Sequence, residues 1–341
     1  MFRRRSDSLI GLDIGSSSVK ALQFSSDTGR LKLEHAALVG IESNGNWRDA
    51  TAKAIHDAIS QIGKYREVAA SVAGPSVAVR HLRFPRLSPD ELKGALWWEG
   101  AQVIPFDMED VFTDFQVMGN RENETERLDV LFVAAARQVV NDRISLLREC
   151  GLEPRVIDVD SLAILNCFLE TVGIRGNGPV AILNIGARLT NLAIVNDNST
   201  PFIRDIMTAG NDFSQAVAEA MDIPFPQAER LKTEEIRSIP SHAVDLMESK
   251  IRGLIEELTG SFKYYQAKEA GGEPKTVFLT GGTTGLPYLR SLISDELGLP
   301  VRLWNPLENA KIDHGEFDQP FIREIGPFMA VAAGLALRKN P

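Results

Sequence analysis

IGLDIGSSSVKALQF, from Ile10 to Phe24, aligns without a gap on AILNIGARLTNLAIV, from Ala181 to Val195. Asp13 falls on Asn184 and Gly15 on Gly186, an offset of 171 residues in a chain of 341. Each stretch is a pair of short β-rich runs around a turn of small residues, which reads as a hairpin. The surroundings repeat as well. Leu9 to Gly15, Val19 to Phe24 and Leu31 to Val39 read as three strands, followed by the helical pattern Trp47 to Ile62 and the strand-like Val68 to Val72. Val180 to Ile185, Leu189 to Val195 and Phe202 to Met207 again read as three strands before helices. An internal duplication describes this better than two unrelated domains, and the length suits two domains at roughly 150 residues each.

The stretch from about Gly74 to about Pro154 interrupts the first copy. It holds strand-like runs at Val77 to Phe84, Val111 to Val117 and Val130 to Ala136, a helix announced by Ser88-Pro89-Asp90-Glu91, and a second helix from Val139 to Cys150. That is enough for a small α/β subdomain. Trp97 and Trp98 sit on its first helix, and adjacent helical positions point about 100° apart, so both cannot face one core stripe: either one is open to a partner, or one fills the core while a neighbouring loop partly covers the other. Past the second copy, Ala243 to Ala270 carries Leu246, Ile251, Leu254, Leu258 and Phe262 and reads as an amphipathic helix. TVFLTGGTTGLPYLRSLISDEL, from Thr276, runs strand, double glycine, helix, with another strand at Leu299 to Leu303. The apolar run Phe328 to Leu337 is far shorter than the about 20 residues of a membrane-spanning helix and reads as a buried helix.

With 44% hydrophobic and 24% charged residues, the chain is neither disordered nor collagen-like. A net charge of −9 argues against a broad phosphate-backbone surface, so nucleic acid is not an expected partner. MFRRRSDSLIGLDIG opens basic but lacks the apolar stretch and small-residue cleavage site of a signal peptide, so the chain is expected to stay in the cytoplasm. Arg3, Arg4 and Arg5 read as a solvated tail, with weak attraction to an anionic leaflet as the sharper alternative. Cys150 and Cys167 have neither CxxC spacing nor a His at metal spacing and read as reduced thiols. His35, His56, His81, His242 and His314 are scattered and read as structural or solvated.

A strand that ends in Asp-x-Gly before small hydroxyl residues turns backbone N–H groups toward an anion. Gly15 permits close approach, and Ser16, Ser17 and Ser18 add hydroxyl donors. Asp13 is placed to hold Mg2+ through water, and Lys20 to set a point charge near phosphates. A turn serving backbone geometry alone reads the same way, so one hairpin is not decisive. Two change the balance: loops at 15–18 and 186–190 from symmetry-related halves would confront each other across a cleft and clamp a polyphosphate. The Gly281-Gly282-Thr283 turn would then let a nucleoside approach the backbone, with a helix start behind it. Neither GxxxxGK[ST] nor GxGxxG is present, which argues against P-loop and Rossmann-type sites.

In this order the motifs resemble the actin-like ATPase superfamily of actin, heat-shock chaperone ATPase domains and sugar kinases. Nearly the whole chain is similar to the PilM family, the cytoplasmic actin-like proteins of type IV pilus assembly. The likeness is carried by FRRRSDSLIGLDIGSSSVKALQF, SPDELKGALWWEGAQVIPFDMEDVFTDFQV, LLRECGLEPRVIDVDSLAILN and FKYYQAKEAGGEPKTVFLTGGTTGLPYLRSLISDELGLPVRLWNP. It implies an α/β actin-like ATPase fold, a ribonuclease H-like duplicated βββαβαβα. The first half would be 1–75 with 155–178 and 322–341, the inserted subdomain 76–154, and the second half with its helical subdomain 179–321.

The resemblance also implies ATP and Mg2+ between the halves. Asp13 to Ser18 with Lys20 would form the first phosphate loop, with Asp13 the metal ligand; Gly186 and its neighbours, Asn184 among them, the second. Gly210, in Ala209-Gly210-Asn211-Asp212, would lie in a phosphate-side turn where Ala209 replaces a glycine. Glu229 and Lys232 would clasp the adenosine, with Gly281, Gly282 and Thr283 as the remaining turn. Without the likeness, Glu229 and Lys232 are an i,i+3 surface pair worth only ~0.2–0.5 kcal/mol.

The implied role is a cytoplasmic scaffold, peripheral to the inner membrane through partners and without a transmembrane segment of its own. Its insert and adjoining cleft would bind the N-terminal cytoplasmic segment of a PilN-like inner-membrane protein, with other pilus machinery components as further partners. The alternatives are a small-molecule kinase of the superfamily and a membrane-associated actin-like filament protein. One departure bears on activity. The family's second loop usually reads Asp-Ile-Gly, and this chain has Asn184-Ile185-Gly186. An amide has an oxygen acceptor and an NH2 donor but no charge, which makes it a weaker Mg2+ ligand and a poor general base. No residue is assigned to orienting a nucleophile, so ATP binding is expected with at most weak hydrolysis.

Overall fold

The computed structural model describes residues 9–27, 30–42, 45–63, 66–118, 127–174, 178–197, 200–269, 272–312, 317 and 319–339; Arg3 to Arg5 and His314 lie outside them. The first copy contributes β1 (Ile10–Ile14), β2 (Ser18–Asp27), β3 (Arg30–Gly40), α1 (Trp47–Ile62) and β4 (Glu67–Val72). The insert follows as β5 (Val77–Pro85), α2 (Pro89–Val103), β6 (Val111–Val117) and β7 (Arg127–Ala136). The chain returns through α3 (Arg137–Glu149), β8 (Glu153–Val159) and α4 (Asp160–Thr171). The second copy is β9 (Val180–Ile185), β10 (Thr190–Val195), β11 (Phe202–Ile206), α5 (Gly210–Met221), α6 (Phe225–Glu234) and α7 (Ser241–Glu269), then β12 (Thr276–Thr280), α8 (Leu289–Leu297) and β13 (Val301–Leu303). Short β14 (Lys311–Ile312), α9 (Gln319–Ile325) and α10 (Ala330–Ala336) come last.

The duplication is topological. One sheet runs β14-β3-β2-β1-β4-β8 and the other β11-β10-β9-β12-β13. In each, the first strand pairs antiparallel with the second and parallel with the fourth, and the fourth pairs parallel with the fifth. Even the turn bond recurs: Gly15 N donates to Ser18 O at 3.1 Å, and Gly186 N donates to Leu189 O at 3.0 Å. The insert carries its own antiparallel sheet, β5-β7-β6.

Local signals account for the helix limits. Asn46 caps α1 by accepting from Arg48 N at 3.0 Å, and Gly63, at φ 112°, ends it. Ser88 and Glu91 exchange the two bonds of a capping box ahead of α2, with Pro89 in the first turn. That helix closes the insert's core by setting Leu92 and Leu96 against Phe84, Val130 and Phe132.

Each sheet is covered on both faces, which is why β1 is buried at every position. Outside the first sheet, α1 and α3 pack Ile55, Ile59, Leu146 and Leu147 on Ile10, Leu12 and Val19. Outside the second lie α5, α7 and α8. Between the sheets run α4 and α10, whose Ile164, Phe168, Val331 and Leu335 meet Leu9 and Leu22 from one sheet and Ile182 and Ala193 from the other. Close approach there requires glycine: a Cβ on Gly11 would lie 2.0 Å from the Ala332 carbonyl oxygen, and one on Gly334 1.8 Å from that of Ala163.

Three expectations are corrected. On α7, Ile251, Leu254, Leu258 and Phe262 are buried as expected, but Leu246 is half exposed, because Met247 beside it holds the inward position, in line with Ala243 and Ile251. The run Phe328 to Leu337 is not a single helix: Gly326–Met329 is a 3-10 turn with Pro327 as its second residue, and α10 starts after it. Neither Trp97 nor Trp98 fills the insert's core; both are exposed, because Leu92, Leu96 and Gly100 hold the inward positions. α3 lies between the two parts, with Leu146 and Leu147 in the first half's core and Val140 against Ala135 of β7.

Candidate functional site

The two glycine hairpins do face each other. Asp13, Ser17, Ser18 and Lys20 from the first, and Asn184, Gly186 and Ala187 from the second, line one cleft of about 280 Å³ together with Glu229, Lys232, Thr233, Gly281, Gly282, Thr283, Leu286, Phe328 and Val331. Gly15, Ser16 and Gly210 are the sequence candidates outside this lining.

Asp13 is a buried residue of β1, and register sets Lys20 opposite it on β2. Lys20 Nζ lies 3.1 Å from Asp13 Oδ2. A Cβ on Gly15 would meet Lys20 Nζ at 3.0 Å and the Ser18 carbonyl oxygen at 3.1 Å, so glycine lets the turn close around the lysine. In the second loop the Gly186 carbonyl accepts from Gly210 N at 3.0 Å and from Thr283 Oγ1 at 3.0 Å, which ties the loop to the start of α5 and to the double-glycine turn. Gly210 is therefore part of the wall behind the cleft.

The double glycine has a packing reason the sequence does not reveal. Gly281 has φ 103°, and a Cβ there would lie 2.4 Å from the Ile185 carbonyl oxygen; one on Gly282 would lie 2.8 Å from the Phe328 ring. Lys232 is also not the surface residue that an i,i+3 pair suggested. It is buried, donating to the Gly210 carbonyl at 2.8 Å and pairing with Glu229 Oε2 at 2.9 Å, and Ser214 Oγ donates to the same carboxylate. Burial pushes the Lys232 ammonium below its ordinary value, against the pull of Glu229.

Sequence reasoning missed the acidic groups behind Asp13. Asp160 opens α4 immediately after β8, and its carboxyl is pushed up to about 7 by burial and by the neighbouring charge of Asp13, with a smaller push from Asp205; a hydrogen bond from Ser71 and the charge of Arg143 oppose this. Arg143, from α3, reaches the Ile14 carbonyl at 3.4 Å and feels both Asp160 and Asp13. The available signal was an acid at a strand-to-helix junction in RVIDVDSLAILN, of the kind already singled out at Asp13.

Two sheets of one strand order, helices between and outside them, and a cleft between paired glycine hairpins define an actin-like fold. EutJ, an ethanolamine utilization protein from Carboxydothermus hydrogenoformans, shares that fold at 14% identity over 96% of this chain and 89% of its own, with a TM-score of 0.57. A chain of a PilM-PilN type IV pilus biogenesis complex is 27% identical over 97% of this chain and 98% of its own, with a TM-score of 0.86. The model of the family described as type IV pilus assembly protein PilM matches residues 11–340, and the chain belongs to that family. Among the described residues no helix is long and apolar enough to cross a membrane.

Proposed function

We propose that the chain is a cytoplasmic, ATP-binding actin-like scaffold of type IV pilus assembly, whose partner is the N-terminal cytoplasmic segment of a PilN-like inner-membrane protein. The observation that carries the nucleotide reading is the convergence of Asp13 and Lys20 from one hairpin with Asn184 and Gly186 from its copy on a single cleft. The donor set fits the group: carboxylate, amide and hydroxyl oxygens suit a hard divalent cation, and Lys20 and the turn N–H groups suit phosphate. Asp13 and Lys20 now neutralise each other, and Mg2+ with a triphosphate would supply each with a new counter-charge. The cleft lies near the small end of the about 300–1,000 Å³ typical of ligand sites, and Leu286, Phe328 and Val331 offer apolar surface for a base. Asn184 in the second loop favours binding over hydrolysis.

Asp13→Ala is expected to weaken ATP binding in the presence of Mg2+ by at least about tenfold, measured by calorimetric titration, the scale of losing one charged metal or phosphate contact. Equal affinity in the two proteins would count decisively against the site.

A larger groove supports the partner reading. About 820 Å³ in volume, it lies between the insert and the second half, walled by β5, β11 and α7. Val79, Arg80, Ile203 and Arg204 continue from it into a smaller hollow of about 320 Å³ at the root of the insert. Here β5 and β11 are the outer strands of their sheets, a setting that suits an extended peptide. Val79→Glu is expected to weaken a fluorescent PilN-like N-terminal peptide about tenfold, read by anisotropy. Unchanged binding would move the partner site off this groove. The family match and the PilM-PilN likeness support this reading over a small-molecule kinase or a filament on lipid.

A further inference from the structure

β9, β10 and β11 lie side by side, and register sets Asn184 opposite Asn191 and Asn191 opposite Asp205. Their side chains form one hydrogen-bonded row. Asn184 Nδ2 donates to Asn191 Oδ1 at 2.8 Å, and Asn191 Nδ2 donates to Asp205 Oδ1 at 2.8 Å. Asp205 accepts two more bonds, from Ser161 Oγ at 2.9 Å and from the backbone N–H of Gly74 at 2.8 Å. Asn191 is 3% exposed, so the row runs through the interior. One end, Asn184, lines the cleft between the hairpins; the other, Asp205, lines the hollow at the root of the insert.

The direction of this row is decided at Asp205. A side-chain amide has a donor end and an acceptor end of nearly the same shape, so two amides in a row can run either way. An ionised carboxylate only accepts. It draws Asn191 Nδ2, which turns Asn191 Oδ1 toward Asn184, which in turn draws Asn184 Nδ2 and leaves Asn184 Oδ1 for the cleft. A reversed row would present an N–H donor there, which repels a hydrated cation.

We propose that Asp205 is a positioning residue for the cleft: acting through Asn191, it holds the carbonyl oxygen of Asn184 toward the cation and phosphate site, where that oxygen would coordinate Mg2+ or accept a hydrogen bond from its bound water. The inference rests on reading the cleft as an ATP and Mg2+ site. The carboxylate this loop lacks stands two strands away and acts by orienting what replaced it.

The test is titration of ATP into the full chain, once with Mg2+ and once with EDTA, for the parent, Asp205→Asn, Asn191→Ala and Asn184→Ala. Asp205→Asn keeps the shape and can still accept from Gly74, but its own Nδ2 can reverse the row. Mg2+ is expected to tighten ATP binding in the parent. That tightening should fall about tenfold in every variant, the scale seen when groups behind a metal ligand are replaced, while affinity in EDTA changes by less than about twofold in Asp205→Asn and Asn191→Ala. Adding Asp205→Asn to Asn184→Ala should cost nothing further. Undiminished tightening in Asp205→Asn and Asn191→Ala overturns the proposal and leaves the ATP site standing. An equal fall with and without Mg2+ makes Asp205 purely structural and also overturns it. A parent that binds no ATP removes both readings. Should Asp205→Asn not fold, Asn191→Ala decides alone, since it leaves the bonds from Ser161 and Gly74 to Asp205 in place.

Discussion

Gly334→Ala is expected to cost roughly 3 kcal/mol or more of folding stability, enough to leave much of the protein insoluble. The added methyl would lie 1.8 Å from the Ala163 carbonyl oxygen and 2.3 Å from its carbonyl carbon. Those are backbone atoms of α4, which cannot swing aside as a long side chain would. Relief requires α10 to move away from α4, and α10 is held on its other side by Gly11 of β1, whose own Cβ position is occupied by Ala332. Interiors packed at crystal density transmit such a shift rather than absorb it. Gly253→Ala is the matched control: it lies within α7, nothing stands within 4 Å of its Cβ position, and alanine there should add about 0.5–1 kcal/mol. Urea denaturation of both variants checks the pair. A Gly334→Ala protein as stable as the parent would mean that the two helices are not in contact as described.

Asp160→Asn is expected to stabilise the protein in neutral and alkaline buffer, in EDTA and without nucleotide. Burial and the charge of Asp13 push the folded carboxyl up to about 7, against about 3.9 for a free aspartate. Between those limits the folded chain holds a proton that the unfolded chain has lost, so stability falls as pH rises through the window, and the penalty is complete above 7. Each pH unit of displacement is worth about 1.4 kcal/mol, which makes the gain from asparagine a few kcal/mol at most. The gap between variant and parent should be widest at pH 8 and narrow steadily toward pH 5. A gap independent of pH would show that Asp160 is not held protonated by burial and by Asp13.

What could be seen in the chain unaided was local or repeated. Trp47 to Ile62 matches α1 at both ends, because an asparagine cap and a glycine stop are written into neighbouring residues. The hairpin copies were legible because backbone turns tolerate few sequences, and the gapless alignment carried their hydrogen bonds with it. Leu246 was counted inside because a tally of apolar residues along α7 does not show that its neighbour Met247 is the one turned to the core. The Asn184, Asn191 and Asp205 row could not be seen, since its members are neighbours only through pairing of three strands. Asp160 was missed for a related reason: its chemistry comes from Asp13, far away in sequence. Glycines 281 and 282 were noticed for the right turn, but their demand for glycine comes from Ile185 and Phe328.

The helix between the sheets, α10, spans residues 330–336 and seals surfaces of β1 and α4 made long before it. On the ribosome, the inner face of β1 has to wait bare for more than 300 further residues, until α10 has emerged. Until then the early part of the molecule is an unfinished shell with an open apolar seam, a natural client for holding chaperones. A message cut short ahead of residue 330 would yield not a smaller working protein but two half-cores with nothing to close them.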